Sequence, residues 1–133
     1  MTPELTAKLV EAYPDLFAEY EYIKCDKGWY DILCIMCYKL DAHIRSIAGS
    51  KLKLEQIKEK YGSLRVYYSY DDVAATPQET VKNVVLVDQI IKQAVADANH
   101  TCEWCGSVDG VELRSRKHWL YLRCNTCWTT GPE

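Results

Sequence analysis

The chain has 133 residues, with 16 Lys plus Arg against 19 Asp plus Glu and a formal net charge of −3. That length fits one domain, or a compact domain with a small appended module. A 48% hydrophobic composition argues against wholesale disorder, and no apolar run approaches the ~20 residues of a membrane helix, so no membrane partner is expected. The first residues lack the basic patch and apolar run of a signal peptide, which makes a cytoplasmic location the expectation.

In chain order, Thr2 as cap and Pro3 at the first helical position open a helix to about Ala12, and Pro14 interrupts it. Residues 13–31 form a mildly acidic, tyrosine-bearing segment expected to wrap irregularly. A second helix is predicted from Trp29 to Ala48, with Trp29, Leu33, Met36, Leu40, Ile44 and Ile47 on one face and Gly49 ending it. A hairpin follows, Lys53–Tyr61 and Leu64–Tyr70 around a Gly62-Ser63 turn. Residues 51–66 are the most basic stretch of the chain.

Thr76-Pro77-Gln78-Glu79 combines a capping box with a proline at the first helical position, so the third helix runs from there to about Ala98. Val81, Val84, Val87, Ile91, Ala94, Val95 and Ala98 share its main apolar face. Leu86 and Ile90 point nearly opposite and mark either a second packing contact or a homo-oligomer or partner surface. Asp88 falls within the apolar arc, with Arg65 as a candidate partner.

Seven cysteines without a secretion signal fit a disulfide framework poorly. Cys102, Cys105, Cys124 and Cys127 instead form a CxxC-x18-CxxC array, the spacing of a four-cysteine zinc site. Two knuckles can converge their sulfurs on one Zn2+ and close its tetrahedron, which makes the metal structural rather than catalytic. Strands are predicted at 111–115 and 118–123 around Arg116-Lys117, giving a zinc ribbon. Cys25, Cys34 and Cys37 are read as packed thiols, because Cys34-x-x-Cys37 lies inside a helix rather than at its N-terminus. The fold expected is α+β, three helices with a β-hairpin over residues 1–99, plus a zinc ribbon over 100–133 docked on that body.

Gly28-Trp29-Tyr30-Asp31, Lys58–Tyr67 and Thr101–Gly106 resemble a family of small bacterial, prophage and phage proteins. That family has a GW(Y/F) helix start, a KEK(F/Y)GxLRxY hairpin and a CExCG knuckle. Its members often end in a less regular ligand set with histidine, so the fourth ligand, Cys127, rests chiefly on spacing. The tail also resembles the zinc ribbons of phage restriction-alleviation proteins. These resemblances imply a mobile-element protein that binds a host protein, including a component of a defence system.

No enzyme is expected. His43, His100 and His118 join no metal or nucleophile motif, and no phosphate-binding glycine loop is present. The reading is a non-enzymatic zinc-binding protein-interaction module, with Tyr67, Tyr70 and Trp104 as candidate contacts. The alternative is nucleic-acid binding by the Arg114–Arg123 hairpin through Arg114, Arg116 and Lys117; the acidic pI of about 5.6 weighs against it. Glu59 with Arg65, and Asp71 with Asp72, are read as solvated hairpin charges.

Overall fold

The structure, a computed structural model, describes residues 1–17 and 23–131. Part of the acidic 13–31 segment, residues 18–22, therefore lies outside the described residues, as does Pro132 in the tail. Among the described residues the fold is mixed α+β, with four α-helices and two small sheets. None of the helices is long and apolar enough to cross a membrane.

Helix α1 (Pro3–Ala12) begins where expected, with the Thr2 hydroxyl accepting from the Leu5 N–H. A two-residue strand, β1 (Ile23–Lys24), leads into a 3-10 turn (Lys27–Trp29) and helix α2 (Tyr30–Arg45). Trp29 thus precedes the α-helix proper, and α2 ends three residues before the predicted terminus. Strands β2 (Ser50–Lys60) and β3 (Ser63–Asp72) form the hairpin. Its turn is Tyr61-Gly62 rather than Gly62-Ser63, both residues having positive φ (56° and 78°), the left-handed backbone that two-residue hairpins favour. β1 joins as a parallel third strand, giving the order β1-β2-β3. Two residues are too short to leave a periodic signal, so this strand was not legible.

Helix α3 (Pro77–Ala98) has the complete capping box, Thr76 Oγ1 accepting from the Glu79 N–H and the Glu79 carboxylate accepting from the Thr76 N–H. It packs against α2 and β3. Val87, Ile91, Ala94 and Ala98 are buried, Val95 and Ile90 pack at the core margin, and Leu86 stays exposed; Val81, expected on the apolar face, is exposed in the first turns of the helix, short of the core. Asp88 is not buried with Arg65; it lies half-exposed and pairs with Lys92 one turn on, at 3.0 Å.

The helices cover one face of the sheet. Leu52, Leu54, Ile57 and Leu64 point into the core with Leu33, Met36, Cys37 and Leu40 of α2, and the alternate side chains point away, as the period of a strand requires. Asp72 departs from expectation. It is buried, not solvated, and accepts hydrogen bonds from Thr80 Oγ1 (2.6 Å), Asn83 Nδ2 (3.1 Å) and the Tyr70 hydroxyl (3.2 Å). The Thr80 bond most of all holds its carboxyl below the usual range, so Asp72 ties the end of β3 to the first turns of α3.

After α3 come a turn, strands β4 (Glu112–Arg116) and β5 (Trp119–Arg123), and a short helix α4 (Asn125–Thr130). The β4–β5 turn is Lys117-His118, one residue later than predicted, with φ of 52° and 69°. Helix α4, at six residues, was not anticipated.

Candidate metal centre

The four cysteine sulfurs of Cys102, Cys105, Cys124 and Cys127 all lie within 4.8 Å of one another. Sulfurs ~2.3 Å from a tetrahedral zinc would stand about 3.8 Å apart, and Cys105 Sγ and Cys124 Sγ are 3.7 Å apart. The donor set and its span therefore fit a tetrahedral ion of zinc's size. Four thiolates fill such a shell and leave no position for water or substrate.

The two Cys-x-x-Cys pairs reach this geometry differently. The first is a turn: the Gly106 N–H donates to the Cys102 carbonyl (2.9 Å), the Cys102 N–H to the Ser107 carbonyl (2.7 Å), and the Ser107 N–H to Cys105 Sγ (3.4 Å). Gly106 has φ 83°, a left-handed conformation glycine takes without a Cβ penalty. The second pair is the start of a helix, not a second knuckle. Cys124 caps α4, and its sulfur accepts from the Cys127 N–H at 3.5 Å. That donor is the main reason the Cys124 thiol is lowered to about 7, toward the thiolate a metal requires. Burial pushes Cys127 upward.

The cluster is fastened to the body through the 3-10 turn. The Gly28 N–H donates to the Glu103 carbonyl (2.7 Å), and the Trp29 indole N–H donates to the Thr101 carbonyl (3.0 Å). Any Cβ on Gly28 would stand 2.2 Å from the Cys102 carbonyl oxygen. The Gly-Trp pair is thus the seat of the first knuckle, with glycine needed for close approach and tryptophan as a buried, hydrogen-bonded anchor. Glu103 is buried beside it and accepts from the Asp26 N–H (3.3 Å). Burial raises its carboxyl to about 8, with Asp26 and Glu59 adding to the rise. Gly62 at the β2–β3 turn meets Leu113 and Leu122, a second seam between hairpin and C-terminal module.

The candidate contact residues scatter. Tyr67 is 46% exposed on β3. Tyr70 is half-buried and donates to Asp72. Trp104 is half-buried beneath the Lys27 ammonium, 3.6 Å from its ring centroid. Arg114 donates to the Arg123 carbonyl (3.0 Å), the Gly110 carbonyl (3.1 Å) and Asn125 Oδ1. Arg116 lies 4.0 Å over the Trp128 ring and donates to the Trp128 carbonyl. Those two guanidiniums brace α4 against the β4–β5 hairpin, while Lys117 is exposed at the turn.

Sequence reasoning missed the cluster where the two hairpin turns meet. Tyr61 (65% exposed), Trp119 (70%) and Leu120 line, with Glu59, Lys60 and His118, a recess of about 530 Å³. Its sequence signal was weak, because β5 alternates poorly and exposed aromatics read as core. The chain matches no protein-family model, no curated protein and no solved structure.

Proposed function

We propose that the protein is a non-enzymatic module in which a structural zinc, held by Cys102, Cys105, Cys124 and Cys127 in a ribbon, stiffens a surface for binding a protein partner. The observation that carries this reading is the exposed aromatic pair Tyr61 and Trp119 at the shared recess of two abutting hairpin turns. Large exposed aromatics are costly in water and are enriched where partners bind. Tyr61, Lys117 and His118 also hold left-handed backbone without being glycine, an arrangement that costs about 1–2 kcal/mol per residue. The closed thiolate shell gives the metal no catalytic position. The recess suits an apolar side chain from the partner, and resemblance to phage and prophage proteins extends the proposal to a partner in a host cell, including a defence protein.

Immobilised protein incubated with bacterial lysate should retain one protein stoichiometrically, and Trp119→Ala with Tyr61→Ala should abolish that retention while metal content and helical signal stay unchanged. Retention that survives the double change, or no stoichiometric protein, contradicts the reading.

A further inference from the structure

The face of the three-stranded sheet turned away from the helices carries an organised charge pattern. Directly paired residues share a face, and the register sets Lys24 beside Lys58 and Lys58 beside Arg65, three cations in one row across three strands. The same face holds Lys51 opposite Asp71, Lys53 opposite Ser69 and Lys60 opposite Ser63. Tyr67 sits opposite Gln56 next to the Lys24-Lys58-Arg65 row, and Lys58 Nζ lies 5.5 Å from its ring centroid.

Among the described residues, six cations thus share a surface with two carboxylates, Asp71 and the bulge residue Glu55, on a chain whose net charge is −3. Among the described residues, no carboxylate comes within ion-pair distance of Lys51, Lys58, Lys60 or Arg65. Like charges set directly opposite one another destabilise a sheet. Strand alternation would have allowed neutral residues at each of these positions, so folding alone gives no account of the row.

We propose that this face binds single-stranded nucleic acid, with Lys51, Lys58, Lys60 and Arg65 meeting phosphates and Tyr67 stacking on a base. Charge complementarity selects a polyanion. The exposed ring among the cations favours an unpaired nucleic acid over an acidic polypeptide, because each nucleotide of a single strand carries both a planar base to stack and a phosphate to meet a lysine. Side chains on alternate strand positions stand about 7 Å apart, a spacing an extended single strand can follow along β2. The acidic overall pI does not oppose this, since a local cluster of cations sets the potential a bound strand meets within a Debye length. The surface differs from the Arg114–Arg123 hairpin, where Arg114 and Arg116 are engaged within the C-terminal module. It adjoins the recess at Tyr61 and Trp119 through Lys60, but the variants that test the two proposals share no residue, so failure of either leaves the other standing.

The test is fluorescence anisotropy of the full-length zinc-loaded protein with labelled oligo-dT and oligo-U, the matching duplex, and polyglutamate. Single strands should bind, with log K falling against log salt at a slope of about −2 to −3 for three to four phosphates. Lys58→Ala with Arg65→Ala should shallow that slope by about 1.4. Tyr67→Ala should weaken binding about 10-fold, and Tyr67→Phe should restore it. All these side chains are at the surface, and unchanged metal content and helical signal verify the fold of each variant. The proposal is overturned by affinity weaker than about 10⁻⁴ M at low salt, by preference for the duplex, or by Tyr67→Ala having no effect. Polyglutamate binding as tightly as the oligonucleotides would also overturn it and reassign the face to an acidic protein.

Discussion

Cys34 and Cys37 are separated by the same two residues as Cys102 and Cys105, yet the first pair lies within α2 and the second in a turn. In α2 the backbone N–H groups are consumed by the helix itself, so the donor that reaches a sulfur there is a side chain, the Tyr30 hydroxyl on Cys34. Cys37 is fully buried beside Met36 and Leu40, and burial pushes its thiol up; Cys34 rises as well. In the turn, and again at the start of α4, freed N–H groups reach Cys105 and Cys124. Identical spacing therefore yields a pair held within a helix in one place and half of a four-thiol cluster able to hold a metal in the other. Backbone conformation separates the two pairs: in the turn and at the start of α4 amide N–H groups reach Cys105 and Cys124, and only at Cys124 does this outweigh burial and lower the thiol.

The sharpest way to break this contrast is to remove a ligand. Cys102→Ser should lose the metal and unfold the C-terminal module, a large effect given that structural zinc binding in small fingers is on the order of 10–16 kcal/mol. Cys34→Ser should leave metal content untouched. A metal assay with a thermal melt distinguishes the two variants. A ribbon whose melt is unchanged in Cys102→Ser would contradict the ligand assignment.

A smaller effect is expected at the seat of the knuckle. Gly28→Ala forces a Cβ against the Cys102 and Glu103 carbonyls, and overpacking of this kind costs about 1–3 kcal/mol or more. It should also speed metal loss to a chelator, because the displaced backbone carries Cys102. Trp29→Phe keeps most of the packing but leaves the Thr101 carbonyl without its indole donor, a loss of about 1–3 kcal/mol in a buried site. Chemical denaturation measures both, and wild-type stability in Gly28→Ala would show that the close approach is not needed.

The smallest effect concerns thiol chemistry. Burial raises Cys25 to about 12 and Cys37 further, so both stay protonated through neutral pH and only the thiolate alkylates. In the native, metal-loaded chain, Cys25 and Cys37 should resist iodoacetamide at pH 8 and react readily once denatured. Mass mapping of fast native alkylation at Cys37 would remove the contrast drawn above.

What was legible in the sequence tracks how local the determining interaction is. The Thr76–Glu79 box and Thr2-Pro3 are contained within one helical turn, and both helix starts are legible from them. The cysteine array was legible because spacing encodes it. By contrast, β1 exists only through its pairing with β2, Asp72 is buried only because Thr80 and Asn83 arrive from α3, and Arg114 and Arg116 are drawn inward by α4. The role of Gly28 depends on a knuckle 75 residues away. The basic stretch was visible, but its confinement to one sheet face required the register.

Zinc content per folded chain tests the central claim most directly. The purified protein should carry one equivalent of zinc, released when four thiols are modified while Cys25, Cys34 and Cys37 remain largely unmodified. Less than about half an equivalent in a chain whose C-terminal module is still folded would contradict the account.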